Sequence, residues 1–288
     1  MKKAKNQIFS FFIYMMSAVT VLSLAFVIFF IIQEAMPLFD EVSPVDFIFG
    51  RVWMPIDFTG TTSFGIFNFI AATVYVSFLA ILWSFLVSIG AALWLSCIAS
   101  ERIRSLAYPF IDLLAGIPSV VYGFVGLTVL VKLFMKAGVH TGSCVMAASL
   151  LLAVMLLPYL VSSCSESILK AKDRYLPATE AMGISGWYAI ATIVLPASAG
   201  NILTAMILAI GRAMGETMAV MMVMGNANLF PRLFGKSETI ASVIALEMGT
   251  AVAESTHYHA LYGAGMVLML LLFVINTGVS ALQRKLMK

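Results

Sequence analysis

Residues 201–224 read NILTAMILAIGRAMGETMAVMMVM. The run is long and apolar enough to cross a bilayer, for which about 20 mostly apolar residues suffice. Yet it holds Arg212 and Glu216. An arginine at the centre of a membrane helix costs about 2.5–3.5 kcal/mol on insertion scales, so it turns to protein or water and marks a functional position. Arg212 falls about twelve residues into the run, near its middle. On a continuous helix Glu216 follows one turn on, by about 6 Å at 1.5 Å per residue, on the same face. Gly211 and Gly215 form a GxxxG pair on an adjacent stripe, a signal for close helix packing. The stretch predicts a span beside a protein-walled passage or seam.

The rest of the chain agrees with a membrane setting. Of its 288 residues, 61% are hydrophobic and 11% charged, against about 45–50% and 25% in soluble domains. The net charge of +3 is small and dispersed, which argues against nucleic acid. Cys97, Cys144 and Cys164 are odd in number and match no zinc or CxxC spacing, so they read as buried free thiols. Lys2, Lys3 and Lys5 precede an apolar stretch too long for a signal peptide and with no A-x-A-like site, so it reads as a retained first span.

Six apolar segments emerge: 11–32, 67–95, 107–133, 143–163, 201–224 and 258–282. They predict an all-α membrane protein with a single transmembrane domain over 1–288. An even number places both termini on one side. The basic residues Lys2, Lys3, Lys5, Arg102, Arg104, Lys170, Lys172, Arg174, Arg284, Lys285 and Lys288 share that side; Arg51, Lys132, Lys136, Arg232 and Lys236 take the other. By the positive-inside rule both termini face the cytoplasm. The first external loop, EAMPLFDEVSPVDF, is acidic, and the long external segment 225–257 contains SETIASVIALEMGTAVAES, a helix-like stretch fit to lie on the surface or dip part-way in.

The longest cytoplasmic segment, about 164–200, includes KAKDRYLPATEAMGISGWYAIATIVLPASAGNI. Pro177 suits the first turn of a helix, Gly183 and Gly186 permit a reversal, and Pro196 suits a break before the fifth span. The expectation is an exposed helix–turn–helix. This segment resembles the EAA loop of ABC-importer permeases, in which a glycine precedes the proline of "LP" by thirteen residues. Gly183 and Leu195-Pro196 keep that spacing, and Ile193 occupies the isoleucine position. The family's glutamate position, six before the glycine, is Pro177 here; Glu180 and Ala181 stand closer.

Three further stretches are similar to the phosphate-importer branch of that family. They are DLLAGIPSVVYGFVGL at 112–127, VWMP…FGIFNFI before the second span, and GRAMGETMAV followed by GNA at 225–227, which resembles the PstC type. The resemblance implies the type I permease fold of ABC importers in a bacterial inner membrane. It also implies a second, PstA-type permease, two ATPase subunits that hold ATP-Mg, and an external phosphate-binding protein. The 164–200 loop is then the coupling element that docks on an ATPase.

On this reading Arg212 offers a fork of donors to an oxyanion, and Glu216 moderates its grip. The plainer alternative is a structural pair, with each other or with the partner subunit. Arginine and glutamate alone serve sulfate or molybdate as well as phosphate, and Glu216 also suits a proton-coupled secondary transporter. In AGIPSVVYGF, Gly116, Gly123 and Gly126 read as packing residues, Pro118 as a kink and Tyr122 as a donor toward a pore. Asp112 reads as an interface residue. No catalytic constellation stands out. HYH at 257–259 lacks a third metal ligand, and FPRLFGKS at 230–237 lacks the first Walker glycine. ATP hydrolysis is therefore expected on a separate subunit.

Overall fold

A computed structural model describes residues 2–55 and 62–286. Among these, six helical segments are long and apolar enough to cross a membrane: Phe9–Glu41, Phe67–Ile98, Ser119–Lys136, Val145–Ala181, Gly186–Gly215 and Thr256–Lys285. The helices are α1 (Lys2–Ala35), α2 (Leu38–Glu41), α3 (Pro44–Phe49), α4 (Phe67–Leu93), α5 (Glu101–Ala115), α6 (Ser119–Val125), α7 (Val131–Lys136) and α8 (Val145–Ala181). They continue with α9 (Gly186–Ala189), α10 (Leu195–Gly215), α11 (Met218–Met224), α12 (Ile240–Glu247) and α13 (Thr256–Leu286).

The hub is α8, which packs against α4, α10, α11 and α5. Small side chains make this possible. Ala72, Val76 and Ala80 of α4 and Ala205, Ala209 and Ala213 of α10 recur every fourth residue, and they are buried in one cluster with Leu152, Leu156 and Leu160 of α8. In a membrane, such stripes bring backbones close and gain van der Waals contact where lipid offers no hydrophobic drive. The close-packing stripe of the fifth span is thus alanine. A Cβ on Gly215 would meet open space and one on Gly211 only the Asn276 amide at 3.9 Å, so the GxxxG pair packs no helix of this chain. The peripheral α1 packs mainly against α13.

Three sequence-based boundaries change. The third span does not begin at 107. Residues Glu101–Ala115 form the separate α5, which has polar Glu101, Arg102, Ser105 and Asp112 on one side and no buried residue. Gly116, Ile117 and Pro118 then interrupt the helix, and the span starts at Ser119. The fifth span stops at Gly215 and restarts at Met218. And α8 runs unbroken through Pro177 to Ala181, so that proline starts no new helix.

Pro196 breaks nothing either. A π-helical turn, Ile190–Val194, leads into α10 with the proline in its first turn. The wider turn absorbs the missing donor.

A compact cap closes one end. Leu38, Phe47, Phe64, Ile66 and Phe69 bury against Ile240, Val243, Leu261 and Ala264. A two-residue hairpin pairs β1 (Trp53–Met54) with β2 (Ser63–Phe64), Trp53 opposite Phe64. The SETIASVIALE stretch supplies α12, capped by the Thr239 hydroxyl, which accepts from the Ser242 amide at 3.2 Å. The Thr73 hydroxyl of α4 accepts from the Ile240 amide at 3.0 Å and ties α12 to the bundle.

The turn before α8 places Gly142 at φ +69°, where a Cβ would collide with the Val131 carbonyl. Positive φ in a residue with a side chain costs about 1–3 kcal/mol before any clash. Gly142→Ala is therefore expected to lower the melting temperature of the detergent-purified protein, whereas Gly90→Ala, with open space around it, is not.

Candidate functional site

The start of the third span meets the restarted half of the interrupted fifth span. The half-helices α6 and α11 pack together, and glycines set the distance. A Cβ on Gly123 would come within 2.7 Å of the Met222 sulfur and 3.1 Å of the Ala219 Cα; one on Gly126 would come within 2.6 Å of Leu151 and 2.9 Å of Val223. Gly123 and Gly126 are thus the packing glycines. Gly116 approaches no other helix. The contacts advance together along both half-helices, Gly123 with Ala219 and Gly126 with Val223. Arg212 lies in the last turn of α10.

The break does not leave its polar groups idle. The Tyr122 hydroxyl donates to the Leu114 carbonyl at 3.0 Å, bridging the 116–118 interruption. Its bond thus runs back to α5 rather than out to a ligand. In the fifth span Glu216 is itself the break, with extended backbone (φ −69°, ψ 127°). Its Oε1 accepts from the Ala219 amide at 3.1 Å, so the carboxylate caps α11. An acidic group at a helix start satisfies an orphan donor and complements the dipole.

Arg212 and Glu216 therefore do not share one face of a continuous helix, as the spacing predicted. Among the ion pairs of the described residues, none joins them, and none involves Arg212. Arg212 is exposed on the surface of the isolated chain, near enough to Tyr122 for its charge to act on the phenol.

Sequence reasoning missed a polar stripe on α13. Asn276, Thr277, Ser280 and Arg284 line a cavity of about 540 Å³. The Asn276 Oδ1 is buried with no partner among the described residues. The signal was present as three polar residues in a span that otherwise read as apolar.

The segment expected to couple to an ATPase is a hairpin of two long helical limbs. Glu180 and Ala181 end α8; Gly183 turns at φ +72°; α9, the π turn with Ile193, and Leu195-Pro196 return toward α10. The Gly183 amide donates to the Glu180 carbonyl at 2.9 Å and that of Ile184 to Thr179 at 3.0 Å, closing the turn. Buried Ala171, Ile168 and Cys164 of α8 meet Val194 and Ile202 of the return limb. Met182, Trp187 and Tyr188 stay exposed at the tip.

In the cap, the two histidines of HYH diverge. His257 Nε2 lies 2.8 Å from Glu247 Oε2, which also accepts from Trp53 Nε1 at 2.9 Å. His259 Nδ1 lies 2.7 Å from the Glu34 carbonyl. Cys144 Sγ accepts from the Ala147 amide at the start of α8, and Cys164 is buried, whereas Cys97 is partly exposed. Asp112 is exposed on α5.

Six spans, an extended hairpin at one end and a cap at the other define the class: a polytopic membrane subunit with the importer-permease architecture. Residues 84–288 match the family of binding-protein-dependent transport system inner membrane components. The chain is 33% identical over 241 residues to the probable ABC transporter permease protein YqgH of Bacillus subtilis, covering 82% of this chain and 77% of that one. It is 31% identical over 256 residues to the phosphate transport system permease protein PstC of Xylella fastidiosa, with the same coverage. Its fold superposes with a TM-score of 0.63 at 15% identity on a bacterial ABC transporter involved in importing the acidic polysaccharide alginate, covering 96% of both chains. The chain belongs to the family of binding-protein-dependent inner-membrane transport components. It is a transport subunit of the inner membrane, whose ATPase is a separate chain; the family works with ATPase, substrate-binding and second permease partners.

Glu238, between α11 and α12, is only 7% exposed. Burial, and then the charge of Glu247, push its carboxyl from the ordinary 4.5 up to about 7. Below about pH 4.5 the group is neutral whether folded or unfolded, and the cap has its full stability. Between 4.5 and 7 the folded form holds the proton more tightly, so stability falls as pH rises through 7. The melting temperature is expected to drop between pH 5 and 8, and Glu238→Gln to flatten that slope.

Proposed function

We propose that the chain is one of two membrane-spanning permeases of an ATP-driven importer of inorganic phosphate, a single permease domain across residues 1–288. The relatives named for phosphate transport support the cargo, and the PstC-like stretches support a PstA-type permease as the second subunit. The positive-inside asymmetry supports cytoplasmic termini, which sets the 177–196 hairpin toward two ATPase subunits bearing ATP-Mg and the cap toward an external phosphate-binding protein.

The observation that carries this reading is Arg212. It is a permanently charged guanidinium in the last turn before the break of the fifth span, without an ion-pair partner among the described residues. A charge so placed in a bilayer needs an anion, water or another subunit beside it. Guanidinium matches oxyanion geometry with paired donors and keeps its charge when dehydrated. Glu216, held at the start of α11, sits close by as a fixed negative counterweight that keeps binding weak enough for release. The uncovered polar stripe of α13 supports a second permease against this side, since lipid satisfies neither amides nor hydroxyls. The exposed Met182, Trp187 and Tyr188 at the hairpin tip support docking on the ATPase.

The test is co-expression with the partner subunits, reconstitution in vesicles with the binding protein, and measurement of anion-stimulated ATP hydrolysis and uptake. Phosphate is expected to stimulate both; stimulation by sulfate or molybdate instead reassigns the cargo, and uptake by this chain alone under a pH gradient overturns the ATP-driven reading. Arg212→Gln removes a charge-assisted contact of about 1.5–3 kcal/mol and is expected to cut uptake at least tenfold while the complex still assembles. Glu216→Gln keeps an oxygen for the Ala219 amide and is expected to assemble normally; Glu216→Ala loses the cap and about 1 kcal/mol of stability.

A further inference from the structure

Between α4, α5 and α8 lies an open groove of about 400 Å³ whose lining is almost wholly apolar. Val87, Ala91 and Trp94 form one wall, Ala107 and Ile111 another, and Leu157 the floor. No element of this chain fills it. At one end the character changes abruptly. Arg104 lies one turn before Ala107 on the same stripe of α5, and its buried Nε has no partner. Its contact with Glu101 is long, 3.7 Å, and that carboxylate is 85% exposed. The Lys172 ammonium reaches across from α8 to the Ser96 carbonyl at 2.9 Å, two residues beyond Trp94. Lys172 lines a neighbouring cavity together with Cys97, one residue past Ser96.

We infer that this groove is a binding site for an anionic phospholipid, with its phosphate between Arg104 and Lys172 and an acyl chain along Ala107, Ile111 and Trp94. The chemistry is complementary at both ends: an apolar channel suits a hydrocarbon chain, and two cations at its mouth suit a headgroup with net negative charge. Basic pockets between helices at the cytoplasmic surface hold such headgroups, and an amphipathic helix such as α5 lies at that depth. A bound phosphate supplies the partner that the Arg104 Nε lacks. The inference rests on the cytoplasmic placement of α5 proposed above.

The test uses the whole importer complex in nanodiscs of phosphatidylethanolamine with a minority of phosphatidylglycerol. Lipid retained after extraction into detergent is measured by native mass spectrometry. The unaltered complex is expected to retain phosphatidylglycerol over phosphatidylethanolamine. Each cation near the membrane surface is worth about 1 kcal/mol, so Arg104→Gln with Lys172→Gln is expected to reduce that retention roughly thirtyfold. Arg104→Lys is expected to keep most of it, and Ala107→Trp, which fills the groove, to expel the lipid with both cations intact. Equal retention of the two lipids by the unaltered complex overturns the proposal without reliance on any variant. So does cross-linking that places an acidic residue of an ATPase, or a helix of the second permease, in the groove. Phosphate-stimulated ATP hydrolysis is read on the same preparations, so failure of the cargo assignment is distinguishable from failure of the lipid site.

Discussion

A backbone interrupted inside a bilayer must find partners within the protein, because lipid provides none. Most of what is distinctive in this chain follows from that demand. The fifth span breaks at 216–217, and residues 116–118 separate the surface helix α5 from the start of the third span; each interruption is answered by one side chain. Tyr122 reaches back to the Leu114 carbonyl, and Glu216 reaches forward to the Ala219 amide. The two helices that follow, α6 and α11, then support one another through glycines at 123 and 126 that admit the neighbouring helix. With an unbroken helix here, Arg212 would belong to a plain helical surface. With the break after Gly215, it stands exposed in the last turn of α10, just before irregular backbone.

The fold class was legible because it depends on composition and length, which no tertiary contact overrides. Six apolar runs in an 11% charged chain leave little else. The helix interruptions were less legible for a specific reason. GETM carries no proline, and glutamate is a good helix former, so nothing local marks Glu216 as a break; its preference is overruled by the cap it makes for α11. At 116–118 the signal, Gly-Ile-Pro, was visible but read as a kink, because 107–115 is apolar enough to seem part of the span. Only the polar side of α5, Glu101, Arg102, Ser105 and Asp112, separates a surface helix from a crossing one.

Prolines misled in the opposite direction. Pro177 and Pro196 suggested a helix start and a helix break, and the chain stays helical through both. Packing between the two limbs, Ile168 and Ala171 against Val194 and Ile202, outweighs a local backbone penalty that a π turn has already reduced. The motif spacing of the coupling segment survived all the same. It reflects positions on a rigid hairpin, and thirteen residues from Gly183 to Pro196 measure the same lever whether or not the helix pauses within it.

That rigidity bears on how force is transmitted. A free helix–turn–helix joined by flexible breaks would yield when pulled. Here the hairpin tip at Gly183 is continuous on one side with α8, the hub of the bundle, and on the other with α10, whose last turn carries Arg212. A displacement at the tip is therefore delivered along the return limb to the one place where the fifth span is discontinuous, and Glu216–Thr217 is the point of least helical continuity on that line. The same discontinuity that follows the exposed Arg212 is therefore the element most easily moved along that line.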